Sequence, residues 1–225
     1  ILDHRIEENL TRAERISEEM IAAYSSSDDE TKMSVLDRFW DMEKESEYDF
    51  CVLSDTSGNV IWQSASYNLT GFDAARVGAS GYRGFVNDPT AGLTIQAAKP
   101  VANGIIVVGM KLNRDEWLDG IKNEINSELT IFQGDVRFAT TLRDASGNRA
   151  VGTKMPSQVA EIVIGKGEHY DGTAVLDGQN HYVHYSAITD IDGNIAGAFF
   201  SGSSSADADA LMVQMIVIAI GVAVI

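Results

Sequence analysis

Leu2, Ile6, Leu10, Ala13, Ile16, Met20 and Ala23 recur at steps of three and four, the spacing of one helix face, and predict a helix over residues 1–24. The opposite face carries Glu7, Glu8, Arg12, Arg15, Glu18 and Glu19. An apolar stripe of this kind packs on its own domain or on a second copy of itself. The helix stops at Ser25–Ser27, and Asp28 is a good N-cap for a second helix from about Asp29 to Lys44. That helix places Met33, Leu36, Phe39 and Trp40 on one face. Past residue 48 the pattern changes to strands. Asp49–Ser54 and Asn59–Ser64 flank Asp55-Thr-Ser-Gly-Asn59, a hairpin signal in which Gly58 takes positive φ and Asp55 bonds the turn backbone. The device recurs as Asp144–Asn148, between Val136–Leu142 and Arg149–Thr153. It recurs again as Asp190–Asn194, between His181–Thr189 and Ile195–Gly202. Three such turns predict antiparallel meander sheets.

The remaining stretches complete the plan. Residues 65–92 are aperiodic and read as loop, with a short helix near Phe72–Arg76. Leu93–Lys99 and Gly104–Leu112 read as strands joined at Pro100–Asn103, and Arg114–Ser127 as a helix. Leu129–Gln133 restarts the strands, Pro156–Ile164 is a short helix opened by proline, and Thr173–Leu176 is a strand. The fold class is therefore α+β: a helical stalk over 1–48, a first lobe over 49–112, a linking helix over 113–128 and a second lobe over 129–203. Each lobe is small, so both lean on the long helices.

The far end is different. From Leu211 to Ile225 the only strongly polar residue is Gln214. Fifteen helical residues reach roughly 22 Å, short of a ~30 Å hydrocarbon core. A buried C-terminal helix is the alternative. The absence of any recurring polar face favours the start of a transmembrane helix, over about 206–225. Asp207 and Asp209 precede it without Lys or Arg, which suits the non-cytoplasmic side.

Charge narrows the function. The formal net charge is -16, and a surface of that sign repels nucleic acid and anionic lipid. Residues 1–48 hold 14 acids and 6 bases, half of the excess, as a solvated helical surface. The single cysteine, Cys51, lies in an apolar run and reads as a buried side chain with no disulfide partner. His181 and His184 are three apart on a strand and point to opposite faces, so no metal site is expected. Asp190-Ile-Asp-Gly-Asn194 has its glycine too early for a calcium loop and is explained as a turn. There is no G-x-S-x-G, P-loop, H-E-x-x-H or CxxC, so neither an enzyme nor a cofactor is expected.

Leu129-Thr-Ile-Phe-Gln-Gly-Asp-Val-Arg-Phe-Ala-Thr-Thr141 is followed by Asp144, Gly147-Asn-Arg149-Ala-Val-Gly152-Thr153 and Gly167-Glu-His-Tyr170. Next come Tyr182-Val-His-Tyr185-Ser-Ala-Ile188, Asp190-Ile-Asp-Gly193 and Ile195-Ala-Gly-Ala-Phe-Phe-Ser-Gly202. In this order they resemble the second half of the double-Cache sensor domains of methyl-accepting chemotaxis receptors and sensor kinases. The likeness spans about 128–203. Over 49–112 only Asp55…Gly58-Asn-Val60 and Ala98-Lys-Pro-Val101 share it. The resemblance implies two PAS-like lobes on a long N-terminal helix, the first membrane-distal and the second membrane-proximal. It also implies an extracytoplasmic position at the cell membrane, homodimerisation and a small-molecule ligand such as an amino acid or organic acid. The arginine-tryptophan-tyrosine signature of amino-acid-binding members is absent, and Gly81-Tyr-Arg-Gly-Phe85 only echoes it.

A sensor pocket needs an apolar wall and a few polar anchors. In the first lobe the candidates are Trp62, Tyr67, Tyr82, Arg83, Gln96 and Lys99. Tyr82 and Arg83 fall in the loop that closes a PAS-like pocket. Gln96 and Lys99 are an odd number apart, so only one faces inward. A guanidinium suits a carboxylate ligand, although each cation has a local acid to meet. The second lobe offers Arg137, Thr140, Arg149, Tyr182 and His184, with Tyr185 on the other strand face. The expected function is that of a small-molecule sensor domain of a chemotaxis receptor, ligand binding shifting a dimer equilibrium passed to the membrane helix. Alternatives are the sensor of a histidine kinase or cyclase, and a membrane-anchored binding module without a small ligand.

Overall fold

The computed structural model of the chain describes residues 2–26, 32–43, 48–64, 76–101, 104–176 and 178–206. Two compact units emerge: residues 1–112 with Thr189–Ala196, and Asn113–Ile188 with the chain from Gly197 onward.

The first unit holds α1 (Leu2–Ser26), α2 (Lys32–Glu43) and five strands: β1 (Phe50–Ser54), β2 (Val60–Gln63), β3 (Tyr82–Asp88), β4 (Gly92–Val101) and β5 (Gly104–Lys111). They form one antiparallel sheet in the order β2-β1-β5-β4-β3. Strands β1 and β5 sit in the middle because their runs FCVLS and GIIVVGMK are apolar on both faces. The Asp55 turn forms as its sequence requires, with Asp55 Oδ1 accepting from the amides of Ser57 and Asn59 at 2.8 Å each and Gly58 at φ 89°. One sheet face takes the helices. Cys51 meets Met20 there, sulfur to sulfur at 3.2 Å, and Ile16, Met20 and Leu36 are fully buried. Burial pushes the Cys51 thiol far above its ordinary pKa, so it stays a protonated packing group. The other face gathers Phe50, Val52, Val77, Ala91, Ala98, Ile105 and Val107 into an apolar cluster.

The second unit holds α3 (Asp115–Ile125), β6 (Glu128–Gln133), β7 (Val136–Thr140), α4 (Ser157–Lys166), β8 (Tyr170–Leu176), β9 (Gln179–Thr189) and β10 (Ile195–Ser204). Its antiparallel sheet runs β7-β6-β10-β9-β8. Counted within each unit this is the same order, second-first-fifth-fourth-third, as in the first. One face packs α4 through Val159 and Val163 onto Phe132, Val183, Tyr185, Ala198 and Phe200. Leu118 and Ile121 of α3 are also buried.

Three expectations need correction. The sheets are antiparallel but not simple meanders, because in each the first strand pairs with the last. Tyr82–Asp88 is a strand rather than loop. Its side toward the apolar cluster carries Tyr82, Gly84, Val86 and Asp88, so the apolar alternation that marks a strand is missing. Arg149–Thr153 forms no strand. A bridge from Arg143 to Arg149, the Ala150 amide donating to the Leu142 carbonyl, the Gly152 amide donating to the Arg137 carbonyl and the Arg137 amide donating to the Thr153 carbonyl lay this segment along β7 and the residues after it. Gly152, at φ 82°, turns the chain there.

Among the described residues no helix is long and apolar enough to cross a membrane. The apolar run Leu211–Ile225, the Asp28 cap and most of the helix expected at Phe72–Arg76 lie outside the described residues.

Candidate functional site

Register decides which first-lobe candidates meet. Strand β3 pairs with β4 so that Tyr82 lies opposite Ala98, Gly84 opposite Gln96 and Val86 opposite Thr94. These pairs share the face of the apolar cluster. Gly84 has no side chain, so Tyr82 reaches diagonally across it. The Tyr82 hydroxyl donates to Gln96 Oε1 at 2.8 Å, and Gln96 Nε2 donates to Thr94 Oγ1 at 2.9 Å. Thr94 Oγ1 in turn donates to the Val86 carbonyl at 3.1 Å. Gln96 and Thr94 are buried. Burial raises the Tyr82 pKa well above the usual tyrosine range. Arg76 opposes that rise, while Asp88 and Asp192 add to it. Tyr82 is thus a neutral donor at the end of a buried polar chain.

A fourth polar group joins this face. Ser54 pairs with Ile105, is fully buried, and its hydroxyl has no hydrogen-bond partner among the described residues. Sequence reasoning passed over it as the last residue of an apolar strand. The signal was its spacing, since Phe50, Val52 and Ser54 alternate onto one side. An apolar wall with a few polar groups aimed across it is the composition of a small-molecule site.

The other first-lobe candidates belong to the helix face. Trp62 lies opposite Leu53 and donates its indole N–H to Asp37 of α2 at 2.7 Å. Lys99 pairs with Glu18 at 3.6 Å, and Arg83 with Glu7 at 2.7 Å. Arg83 and Glu7 line an open cleft of about 400 Å³ with Gly84, Phe85, Thr189, Asp190 and Ile191. The turn after Thr189 is anchored there, the Ile191 amide donating to the Phe85 carbonyl at 3.0 Å and Asp192 pairing with Arg76 at 2.7 Å. Tyr67 lies outside the described residues.

The second-lobe candidates are scattered. Arg149 clasps α3, with Nε 2.9 Å from Asp115, Nη2 2.6 Å from Asp119 and Nη1 donating to the Thr140 carbonyl at 2.6 Å. Thr140 is buried against Thr130, hydroxyl to hydroxyl at 2.6 Å. Tyr182 and His184 face outward, with His184 Nδ1 2.7 Å from Asp171. Arg137 faces inward, over the Phe132 ring at 5.5 Å. Among the described residues no three His, Cys, Asp or Glu side chains converge as a metal site.

The matching strand order of the two sheets now meets a sequence match. Residues 109–215 match the family described as single cache domain 3. The matched stretch runs from the end of β5 through the whole second sheet. No curated protein matches the chain. Among solved structures, an extracellular ligand binding receptor from Desulfohalobium retbaense is similar at 12% identity and a TM-score of 0.53. That likeness covers 89% of this chain, which spans only 38% of the length of that receptor. The ligand-binding domain of the Pseudomonas fluorescens chemoreceptor CtaA, in complex with L-isoleucine, is similar at 13% identity and a TM-score of 0.50. That match covers 92% of this chain and 90% of the other. The sensor domain of the V. cholerae histidine kinase DctB shares 15% identity over 90% of this chain and 91% of its own, with a TM-score of 0.48. At such identities the likeness to the first two is one of fold; this chain has two antiparallel five-stranded sheets with four helices.

Proposed function

We propose that this chain is the extracytoplasmic sensor region of a transmembrane chemotaxis receptor, built as two fused Cache lobes, and that it binds a small molecule in the first. The observation that carries the reading is the buried chain Tyr82–Gln96–Thr94, with the orphan Ser54 hydroxyl on the same apolar face. A core needing only stability would place aliphatic side chains there, because a buried unpaired hydroxyl costs free energy. Two sheets of one strand order support the fused arrangement. The apolar run Leu211–Ile225 supports a membrane helix at the carboxyl end. The homodimer rests on the resemblance to double-Cache receptors alone, since Ile16 and Met20 of the first helix are buried on its own sheet. Tyr82, Gln96, Thr94 and Ser54 are neutral, and the inward carboxylate, Asp88, is taken up by the amides of Thr90 and Ala91 at 2.8 Å each, so the ligand suited to this face is uncharged where it meets them: the apolar side chain or amide of a metabolite. Binding shifts the dimer only by the difference in affinity between its two states.

The test is a thermal-shift screen of amino acids, organic acids and amines on the chain, repeated on Gln96→Leu. A hit raises the melting temperature by mass action and loses that shift in the variant. No stabilising compound, or a hit indifferent to Gln96, removes the reading. The chemotaxis output is tested by joining the chain to a methyl-accepting signalling domain and measuring ligand-dependent methylation.

A further inference from the structure

Arg137 stands on the inner face of the second sheet, opposite Phe132, and is half-buried. Its guanidinium has five N–H donors. Nη1 donates to Thr153 Oγ1 at 2.5 Å, and Thr153 donates onward to the Ala150 carbonyl at 2.8 Å. The Nε–H is buried and has no acceptor among the described residues. Nε and Nη2 form the side edge of the guanidinium, two parallel N–H groups at the spacing of a carboxylate's oxygens. No described residue bonds to that edge.

The charge is as unusual as the edge. Among the described residues no carboxylate pairs with Arg137. Its nearest neighbour in sequence with one, Asp135, holds Lys154 at 2.8 Å. The other cations of this unit that approach an acid do so directly: Lys122 meets Glu128 at 2.6 Å and Arg149 meets Asp115 and Asp119. Burial pulls the Arg137 pKa below its ordinary value, the sign of a desolvated charge without a counter-ion, and Tyr185 nearby offsets part of this. Tyr185 is buried among Phe132, Tyr170 and Phe200, and no described residue hydrogen-bonds its hydroxyl. Burial raises its pKa, which keeps it a donor at neutral pH.

We infer that Arg137 anchors a second ligand site, in the second lobe, that takes a small carboxylate on its Nε/Nη2 edge with the Tyr185 hydroxyl as a further donor. The aromatic rings of Phe132 and Tyr185, 6.0 Å apart, form its apolar wall. This site is independent of the first-lobe reading, because it lies on another sheet and asks for an anion where the first asks for a neutral group.

The experiment uses the full chain in sodium acetate against sodium chloride at equal ionic strength. It follows the melting temperature and the Arg137 Nε–H signal in proton–nitrogen spectra. Acetate is expected to raise the melting temperature saturably and to move that signal. Arg137→Gln abolishes both effects, and Arg137→Lys weakens acetate binding by about tenfold, since an ammonium offers no parallel pair of donors. Gln96→Leu leaves the acetate response unchanged. Equal melting in the two salts, an Arg137 signal that does not move, an acetate response that survives Arg137→Gln, or one lost in Gln96→Leu overturns the inference. Should Arg137→Gln not fold, the signal in the unsubstituted protein decides.

Discussion

Replacing Gln96 by Leu and Tyr82 by Phe, singly and together, tests whether the first-lobe polar chain is one coupled unit. Gln96 is 2% exposed and makes two hydrogen bonds, one to each neighbour. Leu removes both and strands the Tyr82 hydroxyl in an apolar surround. Each net hydrogen bond contributes about 0.5–1.5 kcal/mol, and a stranded buried donor costs about 1–3 kcal/mol. Better apolar packing by Leu offsets part of this, so Gln96→Leu should cost about 2 kcal/mol. Tyr82→Phe strands only Gln96 Oε1 and should cost about 1–2 kcal/mol. The double variant strands neither group of the pair, so it should cost about 1–2 kcal/mol less than the sum of the singles. The assay is urea unfolding followed by the fluorescence of Trp40 and Trp62, both buried in the first unit. With a slope of about 1–3 kcal/mol per molar, the Gln96→Leu midpoint should fall by about 1 M. Costs that add to within about 0.5 kcal/mol would show that the two side chains do not depend on each other, and the reasoning behind the site would fail.

Two further outcomes follow from geometry and charge. At Gly81, φ is +77° and a Cβ would lie 2.2 Å from the Ala98 carbonyl oxygen, so Gly81→Ala should destabilise by about 2–4 kcal/mol. Gly78→Ala, at φ +55° with open space around it, should cost only about 1 kcal/mol of backbone strain, and equal losses in urea unfolding would contradict this. The Tyr82 pKa is raised in the folded protein, so ionisation favours the unfolded chain. Its contribution is complete below the unfolded value of about 10 and is lost as pH rises toward the folded value. The urea midpoint should therefore drop more steeply above about pH 10 in the parent than in Tyr82→Phe, and parallel curves would refute the assignment.

The periodicities along the chain were enough to place both long helices, the linking helix α3 and nearly every strand. Helix faces and turn residues are local instructions: Asp55-Thr-Ser-Gly-Asn59 can form its turn with no help from the rest of the molecule. The class, two antiparallel sheets beside helices, follows from those signals alone. Strand order does not, because β1 pairs with β5 across more than 50 residues of sequence, and no local pattern encodes which apolar run it chooses. Strand β3 was hidden for a related reason. Its inward positions carry Tyr82, Gly84 and Asp88, and only the partner strand makes that row a strand.

The candidate site divided along the same line. The residue types needed for a pocket could be read from composition, and the odd spacing of Gln96 and Lys99 already put them on opposite faces. Which face was the inner one depended on where α1 and α2 pack. Once Glu7, Glu18 and Asp37 arrive on one side of the sheet, they engage Arg83, Lys99 and Trp62 there. Tyr82, Gln96, Thr94 and Ser54 then share the other side. A side chain's identity is written in the chain, but its partner is set by long-range packing, which on this side joins Tyr82, Gln96 and Thr94 to one another and leaves the Ser54 hydroxyl without a partner among the described residues.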